Sequence, residues 1–532
     1  MATDSIHADV SSKGSARRFL QWAGLIGGPL LALACYFVLP DSYENAAGEL
    51  SEFTPSGRAT LAVMCWMAIW WLTEAQNVAV TALLPIAIFP LLNIASIRAT
   101  TSPYAHELIF LFMGGFLLAL SMQRWGLDKR IALLTLRLVG TKPNNMVAGF
   151  MIATAVLSAF VSNTATTVMM LTIVLSVIHL VMKGNPNDKE GDSQNNQGSI
   201  SPSDGRNFAL CLMLGVAYAA SIGGIATIIG TPPNVFLIGF IKDSIDPAYR
   251  QEISFAQWLV IGVPLTCFFL PIVWFALTRL IYPIRIDRIE GGRELIESKY
   301  NALGPANRGE WITFLVFLAT ALSWIFRPLL MKIEIPMGGA VMTPFKGLTD
   351  PGIVMISAVL LFVIPVDPGK RIFTLNWQTA MKLPWGILIL FGGGLSLAMA
   401  VRTNGVAEFI GAQTVAFKGV PDLVIVLLIV TMMIFLTELT SNIATTATLI
   451  PILAGLAPAL EIHPFMLIIP ATIAASCAFM MPVATPPNAI VFGSGHVTIP
   501  QMCKAGLWFN MIGIVLVTLL AYLIMVPFLG LS

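Results

Sequence analysis

Ser162-Asn163-Thr164-Ala165-Thr166-Thr167 and Ser441-Asn442-Ile443-Ala444-Thr445-Thr446 are one hexapeptide written twice, with a single difference. Each copy sits at the centre of an otherwise apolar stretch, residues 145–183 and 421–458. A polar cluster in mid-membrane argues for a hairpin that enters and returns rather than a straight span. Each copy is followed by a second motif, Gly230-Thr231-Pro232-Pro233-Asn234 and Ala484-Thr485-Pro486-Pro487-Asn488. The Ser-to-Thr separations are 69 and 44 residues, and the polar insertion 184–206 accounts for nearly all of the difference. With that insertion removed, the two halves share one spacing, which makes them an internal repeat. Thr-Pro-Pro takes away two backbone donors, so the helix carrying it must break there.

The surroundings are those of a bilayer protein. Of 532 residues, 56% are hydrophobic and 11% charged, against about 25% charged in a typical soluble domain. Apolar segments of spanning length are predicted near 19–39, 57–75, 77–97, 107–127, 208–240, 256–282, 310–331, 350–366, 383–402, 462–493 and 505–529. The expected fold class is therefore all-α and polytopic, with eleven transmembrane helices and two re-entrant hairpins. Residues 1–18 read as a polar cytoplasmic N-terminus with no secretory signal, and 19–56 as the first span with an acidic external loop (Asp41, Glu44, Glu49, Glu52). Basic residues at 124–142, 284–309 and 367–382 then fall inside, as the positive-inside rule requires, only if both hairpins are re-entrant. This places the N-terminus inside and the C-terminus outside. Residues 57–309 form a first repeat with hairpin 145–183, a disordered cytoplasmic loop 184–206 and broken helix 208–240. Residues 310–532 form a second, with hairpin 421–458 and broken helix 462–493. The hairpins enter from opposite sides, so the repeat has inverted topology, a mark of secondary transporters whose sites lie at the repeat interface.

Residue chemistry narrows the ligand. Each break frees carbonyls on one side and N–H groups on the other. Carbonyls with Ser, Thr and Asn oxygens suit a dehydrated sodium ion, while N–H groups and positive helix ends suit a carboxylate. No Lys or Arg stands at either hairpin tip or break. An anion bound there must be neutralised by helix ends and by bound cations, which predicts coupled transport. The six cysteines and five histidines show no zinc spacing. No nucleic-acid motif or long basic run is present, and no Asn-X-Ser/Thr acceptor, which favours a bacterial inner membrane. Glu74, Glu107 and Glu438 lie at or inside apolar segments and read as capping or pairing groups, with proton coupling as the alternative. An intramembrane hydrolase would need a His, Lys or Asp beside Ser162 or Ser441, and 158–170 and 437–450 carry only Glu438.

These motifs resemble those of the divalent anion/sodium symporter family, which includes bacterial dicarboxylate and animal dicarboxylate/citrate carriers. The resemblance spans nearly the whole chain. It rests on Trp70-Trp71-Leu72-Thr73-Glu74-Ala75, both Ser-Asn-Xaa motifs, Ile222-Gly223-Gly224 ahead of Gly230-Thr231-Pro232, and above all the run Met481–Phe492. It implies a homodimer working by an elevator mechanism in the lipid bilayer, with sodium as coupling ion. The cargo implied is a small di- or trianionic carboxylate: succinate, malate, fumarate or citrate. By resemblance, one sodium falls on Ser158, Ser162, Asn163 and the Gly230 carbonyl, the other on Thr437, Ser441, Asn442 and the Ala484 carbonyl. The substrate carboxylates would meet Asn163, Thr164, Thr231, Asn442 and Thr485, with Ile443 and Pro486 beside them. Ile443 stands where many bacterial members have Thr, which bears on substrate preference. Sodium-independent exchange and sulfate transport on the same scaffold remain alternatives.

Overall fold

The computed structural model describes residues 2–44, 49–140, 142–183, 201–286, 289, 291–337, 340–413 and 419–531, with side chains from Arg18 onward. Helices begin where a cap and an apolar run coincide. Helix α1 (Ala2–Val38) leads to α2 (Pro55–Leu72), whose Thr54 cap accepts from Gly57 N–H and whose Pro55 fills the first turn. Three short helices, α3 (Val78–Thr81), α4 (Leu84–Ile88) and α5 (Ile97–Thr101), precede α6 (Glu107–Trp125). Gly126, at φ +78°, turns the chain into the amphipathic α7 (Leu127–Val139).

The first hairpin is α8 (Pro143–Ser158) and α9 (Asn163–Lys183). After it come α10 (Pro202–Ile225), a non-helical break at 226–231, and α11 (Pro232–Gly239). Then follow α12 (Phe255–Phe275), α13 (Gly292–Ala302), α14 (Arg308–Leu330), α15 (Asp350–Val363), α16 (Trp377–Ala380), α17 (Trp385–Thr403) and α18 (Val406–Ala412). The second hairpin is α19 (Asp422–Thr437) and α20 (Asn442–Leu456). Next are α21 (Pro464–Ala475), a break at 476–485 and α22 (Pro486–Gly493); α23 (Ile499–Leu520) and α24 (Val526–Leu529) close the chain. The sheet content among the described residues is three two-stranded antiparallel ribbons in connecting loops.

Among the described residues, eight stretches are long and apolar enough to cross a membrane: 18–38, 97–125, 163–182, 203–225, 255–281, 308–330, 385–403 and 499–529. The protein is a multi-pass, all-α membrane protein. Three expected spans, 77–97, 350–366 and 462–493, are built of shorter helices, while 57–75 is the single 18-residue α2. The 77–97 segment divides because Pro85 and Pro90 interrupt it and Asn93 adopts φ +53°. The helix expected over 350–366 stops at Val363, ahead of Pro365, and enters a ribbon pairing 365–367 with 372–373. Helix α1 runs into the 1–18 stretch read as a polar tail. Of the expected loop 184–206, residues 184–200 lie outside the described set, and 202–206 form the first turn of α10 behind Ser201.

The centre of the molecule is α10. Its apolar window is wholly buried, whereas that of α1 is mostly exposed. A helix apolar all round needs neighbours on every side, and α8, α9, α12 and α22 supply them. The approach of α8 is closest at Gly223, where an added methyl would lie 2.3 Å from the Ala155 carbonyl oxygen. Backbone cannot yield as a flexible side chain does. Gly223→Ala is therefore expected to destabilise the folded protein by about 1–3 kcal/mol, as overpacking does. Gly27→Ala, with nothing within 4 Å of the new methyl, is expected to cost nothing. Melting of the two variants in detergent checks this; equal midpoints would show that the α8–α10 contact is not tight.

Candidate functional site

Four helices end and four begin at the repeated motifs. The C-terminal ends of α8, α10, α19 and α21 stop at Ser158, Ile225, Thr437 and Ala475. The N-terminal ends of α9, α20, α11 and α22 start at Asn163, Asn442, Pro232 and Pro486. Carbonyl ends favour cations and N–H ends favour anions, so helix ends alone offer both kinds of partner at each motif.

In the first half, oxygen atoms converge. Ser158 Oγ lies 2.6 Å from Asn163 Oδ1 and 2.7 Å from the Ala220 carbonyl. One hydroxyl hydrogen cannot serve both acceptors, so the cluster holds more oxygens than protons. The Gly224 backbone borders it. A methyl there would meet Asn163 Oδ1 at 2.7 Å and the Gly230 carbonyl at 3.1 Å. A methyl on Gly230 would meet the Gly224 carbonyl at 2.5 Å and the Ala159 carbonyl at 3.0 Å. Gly224 thus lets Asn163 and the Gly230 carbonyl close on it, and Gly230 lets the Gly224 and Ala159 carbonyls close on it. Thr227 ties the break to the hairpin tip: its hydroxyl donates to the Ala159 carbonyl and accepts from Gly230 N–H at 3.0 Å. Such a hard-oxygen nest matches the ligand chemistry of a small alkali cation. Ser162 plays another part, with its Oγ accepting from Ala165 N–H at 3.3 Å in the first turn of α9.

The second half repeats the core of this arrangement with different supports. Thr437 Oγ1 lies 2.7 Å from Asn442 Oδ1 and 2.9 Å from the Ala475 carbonyl, the same single hydrogen between two acceptors. Glycines 224 and 230 are matched by Ala478 and Ala484. The turn carrying Ala484 is closed by Ala484 N–H to the Met481 carbonyl at 3.2 Å. It is held from outside by Glu438, which accepts from the N–H groups of Phe479, Met480 and Met481. Ser441 caps α20 through its backbone, accepting from Thr445 N–H, without a side-chain cap bond.

The expected substrate residues occupy distinct settings. Thr231 and Thr485 are the N-caps of α11 and α22 and are 2% and 4% exposed. Thr485 Oγ1 accepts from Asn488 N–H, whereas Thr231 makes no side-chain cap bond. Thr164 and Pro486 are exposed, and Ile443 is half-buried against the apolar core. The two motif sets are brought together by their helices: α22 packs on α9 and α10 of the first half, and α11 on α20 and α21 of the second.

Asn234 and Asn488 close both Pro-Pro motifs, yet carried no role in the sequence reading. Each is fully buried and straps its break with its side-chain amide. Asn234 Nδ2 donates to the Thr227 and Ile225 carbonyls, and Asn488 Nδ2 to the Met481 and Ala478 carbonyls. Their Oδ1 atoms are buried without a partner in both halves. Their matched place in the repeat was the available signal. Of the other charged candidates, Glu107 forms an ion pair with Lys242 at the start of α6. Glu74 stands at φ +49° just past α2. Among the described residues, no group of three His, Cys, Asp or Glu residues is placed to hold a metal.

Residues 51–529 match the family model for the sodium:sulfate symporter transmembrane region. The sodium-dependent dicarboxylate transporter SdcS of Staphylococcus saprophyticus is 40% identical over 516 residues, covering 96% of this chain and 93% of that protein. The protein of the same name in Staphylococcus aureus is 39% identical over 515 residues, covering 96% and 92%. Among solved structures, Neisseria gonorrhoeae MtrF (TM-score 0.56, 14% identity, covering 96% of this chain and 95% of MtrF) shares the fold. So does the Alcanivorax borkumensis YdaH transporter (TM-score 0.52, 14% identity, covering 95% and 97%). With the family model spanning most of its length and relatives about 40% identical from end to end, the chain belongs to the sodium:sulfate symporter family, that of the divalent anion/sodium symporters.

Proposed function

We propose that this protein is a secondary active transporter that carries sodium together with a C4-dicarboxylate, such as succinate, malate or fumarate, or with citrate. The observation that carries the reading is the proton-poor oxygen cluster at each hairpin tip, Ser158–Asn163–Ala220 and Thr437–Asn442–Ala475, in a chain about 40% identical to named sodium-dependent dicarboxylate transporters. Sodium bound at these clusters offsets the charge of a carboxylate held by the N-terminal ends of α9, α11, α20 and α22. The transport unit comprises the two hairpins and the two broken helices, moving against the remaining helices as an elevator. The working form is a homodimer in a bacterial inner membrane, with the N-terminus inside and the C-terminus outside. The halves are related by inverted topology, with the first hairpin entering from inside and the second from outside. The sodium sets are Ser158, Ser162, Asn163 and the Gly230 carbonyl, and Thr437, Ser441, Asn442 and the Ala484 carbonyl. Asn163, Thr164, Thr231, Asn442 and Thr485, flanked by Ile443 and Pro486, face the substrate.

Uptake of labelled succinate into proteoliposomes tests this directly. An inward sodium gradient is expected to drive accumulation, and replacement of sodium by choline to abolish it. Uptake that ignores sodium but requires internal dicarboxylate would replace symport by exchange. Competition by sulfate stronger than by malate would reassign the anion.

The glycine cradle yields a sharper expectation. Gly224→Ala puts a methyl 2.7 Å from Asn163 Oδ1 and is expected to remove most sodium-driven uptake, as Asn163→Ala and Asn442→Ala should. Ala478→Gly, the matched change in the second half, should leave the cluster in place and most of the uptake intact. Equal losses from the two changes would mean that close backbone approach is not what builds the first site.

Thr164 and Ile443 are matched positions of unequal chemistry. Thr164→Ala removes a donor to a charged partner, worth roughly 1.5–3 kcal/mol, and is expected to raise the succinate KM about tenfold or more. Ile443→Ala is expected to alter the succinate-to-citrate preference instead. KM values for both substrates in both variants decide; equal shifts would show that the halves grip the anion alike.

A further inference from the structure

Glu438 is the one acidic residue in the two hairpin tips, and the transport reading gives it no task. It lies at 438, between Thr437 and Ser441, and is 3% exposed. Its Oε1 accepts from Phe479 N–H at 2.7 Å, Met480 N–H at 2.9 Å and Asn510 Nδ2 at 2.8 Å. Its Oε2 accepts from Met481 N–H at 3.0 Å. All four partners are donors, the pattern an acceptor-only ionised carboxylate requires. None of the ion pairs among the described residues includes it. The matched residue in the first hairpin is Ala159, whose carbonyl takes the Thr227 hydroxyl. The two breaks are therefore pinned to their hairpin tips by different chemistry. The first uses a neutral hydroxyl, and the second a charge.

We propose that Glu438 is a positioning residue for the second-half cation site, and that its buried charge makes this site the tighter of the two and the first to fill. The inference rests on the reading of Thr437, Asn442 and the Ala484 carbonyl as a sodium site. Two effects act together. The carboxylate fixes the N–H groups of 479–481, and the Met481 carbonyl accepts from Ala484 N–H and Asn488 Nδ2. The loop that presents the Ala484 carbonyl is thus anchored at its start. The carboxylate, which has no ion-pair partner among the described residues, also belongs to the residue after Thr437 in the chain, in a water-poor setting where opposite charges attract strongly. A sodium ion at the second site is drawn by this charge through the Thr437–Glu438 turn; a sodium ion at the first site has Ala159 in the matched place. Binding therefore begins in the second half. The first site and the anion follow once the second hairpin is neutral.

The test separates charge from shape. Purified full-length protein is titrated with sodium chloride against choline chloride, without substrate, and melting is followed; succinate uptake is then measured against sodium in proteoliposomes. Glu438→Gln keeps the shape and loses the charge. It is expected to raise the sodium concentration for half-maximal stabilisation and for half-maximal uptake by about tenfold or more. The succinate KM at saturating sodium should move far less. Glu438→Asp keeps the charge but shortens the reach. It is expected to melt lower while its sodium requirement stays close to that of the parent. A Glu438→Gln protein that melts lower yet titrates normally with sodium would reduce Glu438 to a structural strap and overturn the proposal. Should Glu438→Gln not fold, the matched pair Thr437→Val and Ser158→Ala carries the test in the native background. Thr437→Val should remove the stabilisation at low sodium, and Ser158→Ala should spare it; equal effects overturn the ordering. A parent protein indifferent to sodium would instead sink the transport reading itself.

Discussion

A helix that stops in the middle of a membrane protein leaves backbone groups with no water to satisfy them, and the rest of this structure answers that constraint. Two helices break, at 226–231 and 476–485, and two hairpins turn at the same level of the sequence pattern. The freed carbonyls of Ile225, Thr227, Ala478 and Met481 are taken up by the side-chain amides of Asn234 and Asn488. The freed N–H groups of 479–481 go to Glu438, and that of Gly230 to Thr227. What is left over is oxygen: Asn163 and Asn442 Oδ1 each share one hydroxyl hydrogen with a carbonyl, and Asn234 and Asn488 Oδ1 have none. Buried acceptors left short of donors beside two helix C-terminal ends are the chemistry that suits a cation.

Those breaks persist only because they are enclosed. Helix α10 is surrounded on every side, and its Gly223 brings the Ala155 backbone against it. Gly506 does the same for the second break, where a methyl would meet the Phe479 carbonyl at 2.3 Å. Close backbone contact of this kind excludes lipid and holds irregular chain in a protein-lined setting, the condition under which non-helical backbone is tolerated at membrane depth. Packing density and site geometry are in this sense one property: loosening the glycine contacts would admit movement at the loops that present the carbonyls.

Much of this was legible in the sequence. The hexapeptide pair and the two Pro-Pro motifs mark places where helices stop and restart, at 158–163, 226–231, 437–442 and 476–485, because proline and polar side chains interrupt an apolar helix. Ser158 and Thr437 entered only through the family resemblance; they lie five residues before Asn163 and Asn442, across a tip, and bond to them. The straps were not readable. Glu438 reaches 479–481, Asn510 reaches Glu438 and Thr227 reaches Ala159 across long sequence separations, and nothing local announces them. Helix ends misled where local chemistry overrode hydropathy. Pro85 and Pro90 divide a stretch that is apolar enough to span, and Pro365 stops a helix three residues early.

The two halves reach similar clusters by opposite means. In the first, Gly224 and Gly230 carry no side-chain atom, so that Asn163 and the Gly230 carbonyl close on Gly224 while the Gly224 and Ala159 carbonyls close on Gly230. Carbonyl dipoles repel at such range, and the Thr227 hydroxyl, which donates to the Ala159 carbonyl, offsets part of this. In the second, Ala478 and Ala484 keep their methyls, and the backbone is drawn into place by a carboxylate behind it. A neutral cradle gains affinity from the number of close dipoles and is sensitive to a single added carbon. A charged strap gains it from longer-range attraction and tolerates a methyl. Divergence of this kind between the two motif copies leaves two oxygen clusters of similar make-up under different electrostatic support, one beside glycine backbone and one beside a carboxylate, and that difference is the physical ground for expecting them to hold a cation with unequal strength.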